Sequence, residues 1–138
     1  MGKQMLMFPE VTEEDKITTK LLLQDYKQLK KNLQSMEKEE YKTLKQQETI
    51  DGLRHTTTVL EMAVRAISED EVREVTDFRF LNPIGQARNL TIIEFQKKMS
   101  ESTIDRRIAE GIKEIAENLK LWGEIGSNSD GGQKVNGS

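Results

Sequence analysis

Residues 91–123 read TIIEFQKKMSESTIDRRIAEGIKEIAENLKLWG, and this stretch decides the fold. Thr91-Ile92-Ile93-Glu94 has the form of a capping box, in which a hydroxyl and a carboxylate satisfy free backbone N–H groups reciprocally. It predicts a short helix over residues 92–98. Met99 follows, and Ser100 then predicts the start of a second helix. In that helix Ile104, Ile108, Ile112, Ile115, Leu119 and Trp122 recur mostly at steps of four and three, the spacing of one helical face. Gly123 marks its end. Two helices joined through Lys98-Met99-Ser100 must cross steeply and share a small core, expected from Ile92, Phe95, Met99, Ile104 and Ile108. This is the geometry of a helix-turn-helix, whose second helix can enter the major groove of DNA.

Upstream, residues 13–46 contain no glycine or proline. Leu22, Tyr26, Leu29, Leu33 and Met36 form a narrow apolar stripe among Lys, Gln and Glu. Thr12 followed by Glu13, Glu14 and Asp15 suits a helix start, where acids complement the helix dipole. Ile50, Leu53, Thr57, Leu60, Val64 and Ile67 form a second stripe, predicting a helix over residues 49–67. No breaker lies in residues 41–48, so one bent helix is an alternative to two. The stripes fit either an intramolecular helical hairpin or a coiled coil joining two copies through residues 17–67. Ser68-Glu69-Asp70-Glu71 reads as another capping box and opens a helix over residues 69–81, ended by Asn82-Pro83. Trp122 is expected to cap the core where the last helix turns back.

The expected fold is all-α, with a long N-terminal helical hairpin or coiled coil followed by a C-terminal helix-turn-helix bundle. Residues 1–11 form an arm, 12–67 the long amphipathic helices, 68–123 the helix-turn-helix domain and 124–138 a tail. The tail, rich in Gly, Ser and Asn, is too polar to offset its ordering entropy, so disorder is expected from about residue 126.

Composition narrows the chemistry. The 138 residues contain no cysteine, which removes disulfides, a thiol nucleophile and any Cys-ligated metal centre. The single histidine, His55, has no nucleophile or ligand set beside it in the sequence and reads as solvated or partner-facing. No enzyme constellation and no cofactor motif are found, and no small-molecule substrate is expected. No apolar run has the length of a membrane span and no signal peptide is visible, so a cytoplasmic location is expected. Mean hydropathy is −0.68, polar for a globular protein but within the range of helices that expose most of their surface.

Net charge is −3, unevenly spread. Residues 68–78 hold five acids and one base, whereas residues 79–122 hold eight bases and six acids. A basic footprint for nucleic acid is therefore local at best. It lies at the start of the second helix. Ser102, Thr103, Asp105 and Arg106 are the polar side chains that would meet base edges, where arginine can pair bidentately with guanine, while the helix N-terminus at Ser100 suits a backbone phosphate. Lys97, Lys98 and Arg107 would hold phosphates, and Thr91 joins this set from the preceding helix. On spacing alone a second reading stays open, a solvated amphipathic helix whose charges are ordinary surface groups.

Residues 72–123 resemble the last segment (region four) of sigma-70-type bacterial sigma factors. More closely, they resemble phage-encoded sigma-like regulators of the ArpU kind. Arg79-Phe80-Leu81 stands at the aromatic-Leu end of the acidic helix, Thr91–Phe95 at the Thr-initiated helix, and Met99-Ser100 at the turn. Ser102–Ile108 stands at the recognition helix. Lys98 occupies the place of the family's usual turn glycine, and no promoter-melting region is present. The resemblance implies sequence-specific binding of duplex DNA, control of transcription and a phage or prophage origin. The N-terminal helices would then serve a homo-dimer or contact RNA polymerase. The alternative is a helical adaptor, scaffold or packaging subunit without direct DNA contact.

Overall fold

The computed structural model of the chain describes residues 9–83 and 87–126. These form five helices and no strand: α1 (Glu13–Glu37), α2 (Leu44–Arg65), α3 (Asp70–Phe80), α4 (Arg88–Phe95) and α5 (Glu101–Leu121). The all-α expectation holds. The arm up to residue 8 and the tail from residue 127 lie outside the described residues.

α1 begins as its sequence predicts. The Thr12 hydroxyl accepts the Asp15 N–H at 3.1 Å, and the Thr12 N–H donates to the Asp15 carboxylate at 2.9 Å. It ends earlier than the breaker-free run suggests, because α2 has its own start signal. Thr43 and Gln46 form a reciprocal capping box, with bonds of 3.1 and 2.8 Å, so α2 starts at Leu44 and not at residue 49. The chain reverses through residues 38–43, where the Lys42 ammonium donates to the Glu39 carbonyl.

α2 returns antiparallel to α1. Arg54 pairs with Glu37 at 2.6 Å and Lys30 with Glu61 at 2.8 Å, and the Tyr26 hydroxyl donates to the same Glu61 carboxylate. Of the α2 stripe, Ile50, Thr57, Leu60, Val64 and the following Ile67 are buried. In α1 the most buried apolar residue is Leu23, one position off the expected seam. α1 packs against α5 and α3 as well as α2, so its buried face is wider than a two-helix stripe. Of the α1 stripe Tyr26 and Leu33 are buried, while Leu22, Leu29 and Met36 stay partly exposed. The large apolar side chains this half leaves exposed are Ile17, Leu21, Tyr41, Leu44 and Met62.

One core cluster joins Leu23 and Tyr26 of α1, Leu60 and Val64 of α2, Val72 and Phe80 of α3, and Ile112, Ile115 and Leu119 of α5. It crosses the boundary expected between residues 67 and 68. A second, smaller cluster holds Val75, Phe95 and Ile104, with Phe78, Ile92, Met99 and Ile108 packed around it. All five residues expected for the helix-turn-helix core are in it, and α3 supplies the wall they lacked.

Two predicted caps do not form. α3 is capped by Glu69 without a side-chain bond, because the Ser68 N–H donates to the Glu114 carboxylate and Glu71 pairs with Arg107. α4 starts at Arg88 after Ala87, a turn earlier than the Thr91 box implies. At α3 a distant partner outcompeted the local one, whereas the Thr91 hydroxyl turns to the Ala87 carbonyl one turn back in its own helix.

α5 closes with a glycine turn. Gly123 has φ +79°, its N–H reaches the Lys120 carbonyl at 3.1 Å, and the Glu124 N–H reaches Leu119 at 2.8 Å. This Schellman arrangement satisfies the orphan carbonyls and reverses the chain. Ile125 then enters the core, while Trp122, expected there, stays 39% exposed. The expected tail is thus anchored at its first residues, with Glu124 also 3.0 Å from His55. The two ends of the described chain meet where Lys120 binds Asp15 at 2.7 Å and the Glu10 carbonyl at 2.9 Å. Burial raises the Asp15 carboxyl's pKa, but bonds from Lys120 and Thr12 outweigh it and hold the group below its ordinary value.

Gly52 sits inside α2 on its exposed side, and a Cβ there would meet nothing within 4 Å. Alanine lowers the helical entropy cost at such a site, so Gly52→Ala should raise stability by about 0.5–1 kcal/mol. Urea titration reads this directly, and a loss of stability would mean that the glycine has a packing role.

Candidate nucleic-acid interface

α4 and α5 are joined by residues 96–100. The Lys98 and Met99 N–H groups both return to the Phe95 carbonyl, at 2.9 and 3.1 Å, and wind the connection tightly. Ser100 caps α5, its hydroxyl accepting the Thr103 N–H at 3.2 Å. Phe95 on α4 and Ile104 on α5 meet Val75 of α3, and Phe78 meets Phe95 edge to face at 5.7 Å. These contacts hold the two helices as one unit, with the first turns of α5 facing outward.

The candidate residues separate into two groups. Lys97, Lys98, Ser100, Ser102 and Arg106 are exposed, and Thr103 is half-buried beside them. Arg106 makes no ion pair among the described residues. The others are engaged. Thr91, expected at the surface, is fully buried inside α4 and donates its hydroxyl to the Ala87 carbonyl at 3.1 Å. A group sealed in that way meets no external ligand. Arg107, expected to hold a phosphate, instead ties α5 to α3, with Glu71 at 2.7 Å and Glu110 at 3.0 Å. Asp105 is gripped by Arg88 through two bonds of 2.8 and 2.7 Å. The Arg88 hydrogen bonds hold the Asp105 carboxyl below its ordinary value. The same guanidinium reaches Glu101 at 2.6 Å, so one arginine offsets both acids of the first two turns.

Arg88 was not among the residues singled out in the sequence, since no local pattern joins it to Glu101 and Asp105. Nor were the cations that the fold brings to Arg106. A groove of about 420 Å³ between α1 and α5 is lined by Lys16, Ile17 and Lys20 on one side and Arg106, Ala109 and Lys113 on the other. Lys16 is engaged by Glu13 at 3.0 Å, whereas Lys20 and Lys113 project as exposed side chains. Glu13 and Glu110 line the same groove, so its rim carries both signs of charge. No family model, no curated protein and no solved structure matches this chain. No helix among the described residues is long and apolar enough to cross a membrane.

Proposed function

We propose that the chain binds duplex DNA in a sequence-dependent manner through α4 and α5 and acts in transcriptional control. The observation that carries this reading is Arg106, exposed and without an ion pair among the described residues, on the outer face of an α5 whose first turns are held outward by the Phe95–Ile104 core. Ser102 and Thr103 stand beside it to meet base edges, and Lys97, Lys98, Lys20 and Lys113 are the cations for phosphate contacts. The resemblance to sigma region four supports the same assignment. In this reading the protein works in the cytoplasm of a bacterial host, as a phage or prophage regulator. The outer face of α1 and α2 is its surface for RNA polymerase or a second copy.

Fluorescence anisotropy with fragments of the protein's own genomic neighbourhood, at about 50 and 200 mM salt, tests the proposal. Phosphate contacts release counterions, so affinity should fall steeply with salt. Arg106→Ala should cost roughly 1–3 kcal/mol on the preferred fragment, with much less loss on random DNA. A variant that binds both DNAs like the native chain would sink the assignment.

A second reading is a helical interaction protein without DNA contact. It is favoured by the engagement of Arg107 and Asp105 within the fold and by Ile17 and Leu21, exposed at 59% and 56% on α1. A partner held on apolar side chains would bind with little salt dependence, which separates the two readings.

A further inference from the structure

Lys27 lies where α1 meets the end of α3. Its ammonium is sealed from solvent and has no hydrogen-bond partner among the described residues. Burial lowers its pKa, and the Arg79 guanidinium lowers it further. Of the acids on the helices packed against α1, Glu61 and Asp77 have cationic neighbours of their own. Glu61 takes Lys30 and the Tyr26 hydroxyl, and Asp77 faces Arg65. An uncompensated buried charge is costly, and an anion that pairs with it removes that cost.

Space for that partner is present. A cavity of about 140 Å³ is lined by Lys27, Arg79, Gln24 and the apolar Leu23 and Phe80. A wider groove of about 640 Å³ shares Gln24 and Lys27 and adds Gln28, Lys31, Leu81 and Pro83. Sites for small organic ligands span about 300–1,000 Å³.

We infer that this groove binds a small phosphate-bearing anion of nucleotide size, with Lys27 as its anchoring cation. Rotation about the flexible lysine stem brings the ammonium into the groove, where it meets a phosphate as a point charge. Lys31 supplies a second ammonium from the rim, which suits a multivalent anion better than a single carboxylate. Gln24 and Gln28 offer amides to the remaining polar groups, and Leu81 with Pro83 offers an apolar wall to a ring. The site shares no residue with the α4–α5 surface and stands or falls independently of DNA binding.

Isothermal titration of the full chain with adenosine monophosphate and with inorganic phosphate, at constant ionic strength, tests it. The nucleotide should bind more tightly than phosphate. Lys27→Gln should weaken both by roughly tenfold, the loss of one charge-assisted hydrogen bond. Lys31→Ala, an exposed change that leaves the fold untouched, should weaken both severalfold. Without ligand, Lys27→Gln should be at least as stable as the native chain, since it removes an unpaired charge. Three results would overturn the inference: no binding of either ligand at millimolar concentration, native-like binding by Lys27→Gln, or a loss of stability in that variant.

Discussion

Gly111→Ala is expected to destabilise the chain by about 3 kcal/mol, near the upper end of the cost of overpacking a core. Helix propensity alone argues the opposite, because alanine in a helix interior gains about 1 kcal/mol over glycine. The sign is decided by Thr76. A Cβ on Gly111 would stand 1.9 Å from the Thr76 hydroxyl oxygen and 3.0 Å from its Cβ. Rotating the threonine moves the hydroxyl, but the Cβ is carried by the α3 backbone and stays. α3 and α5 must then part at their crossing, and both core clusters have members on these two helices. The Thr76 hydroxyl is itself buried without a hydrogen-bond partner, so removing it loses no bond. Thr76→Ala in the Gly111→Ala background should therefore recover about half of the loss, a coupling that chemical denaturation of the four proteins measures. An alanine variant as stable as the native chain would show that α3 and α5 do not approach this closely.

Ile104→Ala should cost about 3–4 kcal/mol. Ile104 has no exposed surface and fills the centre of the smaller cluster. Deleting its side chain loses the transfer energy of three carbons and leaves a cavity. The wall cannot collapse easily, since two of its members, Phe78 and Phe95, are rings held edge to face. The damage should be local as well as global. α4 packs only against α3 and α5, and that packing runs through this cluster. Hydrogen exchange should show α4 amides losing protection before those of α2, whose residues lie in the larger cluster. DNA affinity should fall with the protection of α4, because the first turns of α5 depend on it for their orientation. A loss under about 1 kcal/mol would mean that the cluster is loosely packed and that α4 is held by something else.

The stripe over Ile50 to Ile67 and the one over Ile104 to Leu119 are legible because the helical period is a local property. So are the caps at Thr12 and Ser100, where the partner atoms lie three residues away. Thr43 and Gln46 carried the same local signal, and the break between α1 and α2 was readable from it. The caps at Ser68 and Thr91 misled for different reasons: Thr91 lies inside α4 and bonds the Ala87 carbonyl, whereas Ser68 lost its local partner to the fold. A local side-chain bond is worth only about 1 kcal/mol, so a partner brought in by the fold can replace it. Glu114 and Arg107 do so at α3.

The candidate interface divides the same way. Exposure of Lys97, Lys98, Ser102 and Arg106 follows from their place off the apolar stripe. The engagement of Arg107 with Glu71, and of Asp105 with Arg88, does not, because each pair joins different helices. By itself the sequence determined the helices, the buried stripes of α2 and α5 and the tight link between α4 and α5, since each depends on neighbours within a few residues. The tertiary structure alone decided which cations the fold engages, that α1 and α2 share a core with α5, and that Lys27 has no hydrogen-bond partner among the described residues. Those outcomes depend on which distant side chains the packing brings within a few ångströms, and no spacing along the chain encodes that distance.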